Sequence, residues 1–160
     1  MVGIDPGVTN TGYGVVLRRG GRMAALDGGV VETDPDQPLD LRLLEIHARV
    51  HALVTEHEPD IVAVEDLYFG RNVRTALAVG QARGVVLLAA AQHGVETVSY
   101  TPQQVKLAVC GTGSAGKAQV QRMVATLLCL SAAPEPDHAA DALAVGICGA
   151  SALRNALAAA

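Results

Sequence analysis

Cysteine, aromatic residues and long apolar runs are all scarce in this chain of 160 residues. The three cysteines, Cys110, Cys129 and Cys148, are odd in number, widely spaced and form no Cys-x-x-Cys pair. That excludes a disulfide framework and a zinc knuckle, and leaves the three as buried thiols acting as small hydrophobes. The longest apolar runs, such as residues 85–91, fall far short of the roughly 20 residues that a membrane-spanning helix needs. No basic segment and no apolar segment precedes Asp5, so no export signal is visible and a cytoplasmic protein without membrane attachment is expected. Disorder is excluded as well, because half of the residues are apolar. The length suits one compact domain over residues 1–160 with its own core.

Acidic residues are nearly missing from the middle of the chain. The net charge of −4 speaks against a nucleic-acid partner, but the distribution is uneven. Residues 1–66 hold 12 acids and 5 bases, whereas residues 67–134 hold one acid, Glu96, and 6 bases. One basic face beside a carboxylate site and ordinary surface charge fit these counts equally well.

Residues 2–5, 11–17 and 22–33 read as three strands, joined tightly enough to predict an antiparallel meander. Residues 39–58 show helical spacing, with Leu43, Ile46, Val50, Leu53 and Val54 on one face, and Pro59 stops them. Residues 60–65 are a continuous apolar run closing on an acid, as expected of a buried parallel strand. A helix over 72–93 and a strand over 95–100 follow. Thr101 then caps a short helix that Pro102 opens. Residues 111–116 are a loop, 117–130 a helix and 137–158 a last, largely apolar helix. That order predicts an α/β domain with a mixed sheet.

Asp5 lies on the first apolar strand, where a lone acid is costly unless paired or bound to a cation. Pro6 and Gly7 let the backbone approach a ligand; capping of the turn is the ordinary alternative. Glu65 repeats the pattern. If the first and fourth strands are neighbours, two bare carboxylates meet and one must take up a proton. A divalent cation resolves that conflict, and oxygen ligands favour Mg²⁺ or Mn²⁺ over zinc. His138 and Asp141, at i, i+3, open the last helix on one face. Asp137 and Asp141 compete with them by geometry, and an acid in a first helical turn is favoured by the helix dipole in any case.

Two motifs mislead. The 111–118 stretch fits G-x-G-x-x-G and nearly fits a P-loop, but a helix precedes it and Ala118 stands where a hydroxyl is required. Its backbone and Lys117 can still hold a phosphate. His47 and His51 have the spacing of a zinc pair but lack the intervening glutamate, so an exposed polar face is expected. Of the four aromatics, Tyr68 and Phe69 follow Glu65 in a loop that continues to Arg71 and Arg74. Rings beside basic residues can stack unpaired bases while phosphates are held. Packing of both rings into the core is the plainer alternative.

The chain resembles the RuvC family of Holliday-junction resolvases along nearly its whole length. The match is carried by Gly3-Ile4-Asp5-Pro6-Gly7, Val64-Glu65, Gly80-Gln81-Ala82-Arg83-Gly84, Gln104-Val105-Lys106, Gly113-Ser114-Ala115-Gly116-Lys117 with Gln119-Val120, and Ala139-Ala140-Asp141-Ala142-Leu143-Ala144. The resemblance implies a ribonuclease H-like fold, a mixed five-stranded sheet with helices on both faces. It implies a homodimer acting on four-way DNA junctions, two Mg²⁺ ions per subunit and RuvA and RuvB as partners. It puts the metal ligands at Asp5, Glu65, His138 and Asp141, favouring His138 over Asp137. It puts the base-contacting aromatic at Tyr68 and basic DNA contacts at Lys106 and Lys117. The family often has aspartate where this chain has His138. Imidazole is the softer ligand, so Mn²⁺ is expected to support cleavage better than Mg²⁺. Asp5 would bridge the two ions, about 3.5–4 Å apart as two-metal displacement requires. Ala76, Gly80 and Gly84 make the 72–93 helix the expected dimer surface. A sugar-kinase-type phosphotransferase would need a second domain, and a scaffold that only binds DNA would not need every ligand position.

Overall fold

The computed structural model describes residues 1–66 and 73–158, the side chains of 73–75 and 153–158 excepted. Five strands form one sheet in the order β3-β2-β1-β4-β5. β1 (Val2–Asp5), β2 (Asn10–Arg19) and β3 (Arg22–Glu32) are the expected antiparallel meander. Gly20 and Gly21 both take positive φ between Arg19 and Arg22, the two-residue turn that matches strand twist. Between Val15 and Val16 the register of the β2–β3 pair slips by one residue, a β-bulge, and β2 extends beyond the expected 11–17.

β4 (Ile61–Glu65) pairs parallel with β1, and β5 (Glu96–Tyr100) pairs parallel with β4. Each crossover is a helix on the same side of the sheet: α1 (Leu39–His57) and α2 (Val73–Gln92). Ile46, Val50, Leu53 and Val54 of α1 are buried against Val2, Ile4, Val62 and Val64, as their helical spacing predicts. The opposite side is covered by α3 (Pro102–Cys110), α4 (Lys117–Leu127) and α5 (Asp137–Ala158), packed around Ala63, Val105, Val124 and Ile147.

Thr101 caps α3 as its sequence predicts. Its hydroxyl accepts from Gln104 N at 3.3 Å, while its own N donates to Gln104 Oε1 at 2.8 Å. α4 is shorter than expected. It ends at Leu127, and Cys129 takes φ 55°, which an α-helix cannot continue. The cysteines also correct an expectation. Only Cys148 is buried, and burial pushes its thiol up to about 11; Cys110 is half-buried and Cys129 exposed. Among the described residues, no helix is long and apolar enough to cross a membrane.

Candidate active site

The register of β1 and β4 runs Val2↔Val62, Gly3↔Ala63, Ile4↔Val64. One step further each strand closes on its acid, Asp5 and Glu65. Neighbours in parallel strands share a side of the sheet, and alternate residues change side. Val2 and Ile4 face α1 and α2, whereas Gly3 and Ala63 face α5. Asp5 and Glu65 therefore point toward the start of α5.

α5 comes unusually close at that point. A Cβ on Gly12 would collide with the carbonyl oxygen of His138, and one on Gly3 with the carbonyl of Ala142 and the amide of Gly146. A Cβ on Gly14 would lie 2.7 Å from Leu143 Cδ2. Glycine at these positions lets helix backbone rest on strand backbone. The result is a short reach from α5 to the strand ends. His138 Nδ1 lies 2.8 Å from Asp5 Oδ2. Asp137, its neighbour, turns elsewhere: Oδ2 is 2.9 Å from Lys117 Nζ, and Oδ1 accepts from Gln121 Nε2 at 2.8 Å.

The carboxylates interact strongly. Burial, then the charge of Asp5 and a hydrogen bond to it, push the Glu65 carboxyl up to about 8, with a smaller push from Asp141 and an opposing pull from Lys106. Glu65 thus retains a proton at neutral pH. Burial also raises Asp141, against the pull of Lys117, whose Nζ is 3.5 Å away. Among the described residues, no three His, Cys, Asp or Glu side chains form a ready-made metal cage. His138 bonds Asp5 instead, and Lys117 lies against Asp141. The donor set nevertheless fits a hard divalent ion. Three carboxylates and one imidazole converge, and a cation would replace the proton that Glu65 retains. Glu65 and Asp141 also line a cleft of about 180 Å³ with Lys106 and Lys117, pairing anionic and cationic walls.

Residues 1–149 match the family model described as "Crossover junction endodeoxyribonuclease RuvC". The chain belongs to the RuvC family. The RuvC of Desulforamulus reducens is 50% identical over 150 residues, covering 94% of this chain and 92% of that protein. That of Natranaerobius thermophilus is 47% identical over 154 residues, covering 96% of each. A solved structure of Thermus thermophilus RuvC in complex with Holliday junction substrate superposes with a TM-score of 0.93 at 44% identity, covering 98% of this chain and 96% of that one. The fold is accordingly ribonuclease H-like, and the enzyme class is that of the crossover junction endodeoxyribonucleases.

Within this RuvC-family chain the two misleading motifs resolve. The 111–117 loop follows helix α3, which ends on left-handed Gly111, so it is no P-loop. It delivers Lys117 as the first residue of α4. His47 bonds Gln92 at 2.8 Å and His51 bonds His93 at 2.6 Å, so the pair ties α1 to the end of α2. Tyr68, Phe69 and Arg71, and the side chain of Arg74, lie outside the described residues. Three residues that sequence reasoning missed brace the turn after Asp5. Buried Thr11 donates to Gly7 O at 2.5 Å, and buried Thr33 donates to Val8 O at 2.6 Å. Arg42 bonds Thr33 and Thr9 at 2.9 and 2.8 Å. Threonine on a strand carries no signal for this role until its partner loop is known.

Proposed function

We propose that this chain resolves four-way DNA junctions by paired, symmetric nicks in recombination and repair, leaving 5′-phosphate and 3′-hydroxyl ends. The observation that carries the reading is the convergence of Asp5, Glu65, His138 and Asp141 from two strand ends and one helix start, beside a cleft with two lysines. These four would hold two divalent ions per subunit, Mg²⁺ or, with an imidazole in the shell, preferably Mn²⁺. When bound, such ions supply Lewis-acid stabilisation of the scissile phosphate and lower the pKa of an attacking water.

The side chains have separate tasks. Asp5, between Glu65 and His138, is the central ligand. Glu65 gives up its retained proton on loading. Lys106 and Lys117 draw the phosphate backbone into the cleft, and Tyr68, Phe69, Arg71 and Arg74 contact the junction beyond it. Two sites on two strands call for a two-fold dimer. The exposed stripe Leu77, Gly84 and Leu88 on α2 is its seam, with open space above Gly84. RuvA and RuvB are the proposed partners, and the cytoplasm the compartment.

One assay tests the reading. The protein is incubated with Mg²⁺ or Mn²⁺ and synthetic four-way, linear or single-stranded DNA. Paired nicking confined to the junction, and lost in Asp5→Asn, supports it. Tight binding without cleavage, or hydrolysis of ATP, overturns it in favour of a scaffold or a phosphotransferase.

A further inference from the structure

Lys117 occupies an unfavourable place. It is the first residue of α4, where the helix dipole repels a cation. Gly116 gives no side-chain cap there, and the first turn of α4 contains no acid. The compensating charge comes from another helix. Asp137, at the start of α5, places Oδ2 2.9 Å from Lys117 Nζ and Oδ1 2.8 Å from Gln121 Nε2. Lys117 and Gln121 are one turn apart, so a single carboxylate grips one face of α4. The same ammonium lies 3.5 Å from Asp141 on its other side.

We propose that Asp137 is a positioning residue that holds Lys117 at the rim of the cleft and divides its charge between two carboxylates, the nearer Asp137 and the more distant Asp141. The inference rests on the reading of Asp141 as a metal ligand. Without Asp137 the ammonium keeps one ion pair among the described residues, that with Asp141. The existing 3.5 Å contact with Asp141 is then no longer shared, so the ammonium competes more strongly with the divalent ion for that ligand and is withdrawn from the phosphate. Asp137 therefore acts on metal loading and DNA contact through Lys117, without touching either ligand itself.

The test is a double-mutant cycle with Asp137→Ala, Lys117→Met and the combined variant. Mn²⁺ binding is read by calorimetry, and junction affinity by gel shift in Ca²⁺. Asp137→Ala is expected to weaken both about two- to fivefold, the range commanded by one exposed charge contact. Asp137→Glu should restore most of the loss. In the Lys117→Met background, Asp137→Ala should change neither quantity. An Asp137→Ala protein that matches the wild type overturns the proposal. So does a loss that persists undiminished without Lys117, because Asp137 would then act by itself. Unfolding is monitored by thermal melting, and Asp137→Asn serves as a second, isosteric removal of the charge. If the parent reading fails instead, Asp141→Asn binds Mn²⁺ as the wild type does, an outcome separate from that of the cycle.

Discussion

His138 Nδ1 lies 2.8 Å from Asp5 Oδ2, although 133 positions separate the two residues in the chain. The neighbouring Asp137, equally able by spacing to join this cluster, bonds Lys117 and Gln121 instead. The nitrogen donor thus stands against the central carboxylate, and metal choice should follow from it. Cleavage is expected to run faster with Mn²⁺ than with Mg²⁺. His138→Asp should narrow or reverse that order by offering a harder ligand. Parallel metal titrations of both proteins check this; an Mg²⁺ rate equal to or above the wild-type Mn²⁺ rate would refute it.

A second prediction concerns pH and stability. The Glu65 carboxyl sits at about 8 in the folded chain, against an ordinary 4.5. The folded state therefore binds a proton that the unfolded state has released. In the metal-free protein this contribution is complete below about pH 4.5 and fades as pH rises through about 8. Asp141, raised in the same sense, reinforces it. Urea midpoints measured in EDTA should fall across that interval, and Glu65→Gln should flatten the fall. A midpoint constant or rising over the same interval would count against a proton retained on Glu65.

The glycine under α5 makes a third. Gly12→Ala forces a Cβ onto the carbonyl of His138, backbone against backbone, so neither side yields easily. Overpacking of this kind costs about 1–3 kcal/mol. The helix start should lift, lengthening the reach from His138 to Asp5. The expected result is a lower melting temperature together with a loss of cleavage larger than the loss of junction binding. Unchanged cleavage would show that the close approach is dispensable.

The fourth concerns assembly. Leu77 and Leu88 are 64% and 54% exposed on the same stripe of α2 as Gly84, an apolar seam that a second copy would cover. Leu88→Glu should weaken the proposed dimer without unfolding the subunit, since the side chain already meets water. A bulky residue at Gly80 is expected to act in the same direction. Sedimentation at several concentrations reads both; a profile identical to that of the wild type would place the seam elsewhere.

The acids at the ends of β1 and β4 were legible because an apolar run that closes on a carboxylate is costly without a partner. Their adjacency was only conditional, since no pattern in β1 names the strand beside it. The helices were read from their spacing and the cap at Thr101, and only the end of α4 was misjudged, where Cys129 turns to positive φ. What stayed hidden was contact at a distance. Gly3, Gly12 and Gly14 look like ordinary strand glycines until α5 is laid on them. Thr11 and Thr33 look like ordinary strand threonines until the 6–9 loop folds back. Lys117 was read as a phosphate contact, and its two carboxylate neighbours could not be foreseen from a loop that mimics a nucleotide-binding motif.

Main-chain contact between α5 and the sheet separates two properties that most binding sites combine. The height of α5 above Gly3 and Gly12 is limited by main-chain atoms, those of residues 138, 142 and 146, which every amino acid possesses. Exchange of one donor group for another at position 138 leaves that support untouched. The chemistry at the surface of the site can therefore be retuned at position 138, while Gly3 and Gly12 beneath it have no room for a side chain.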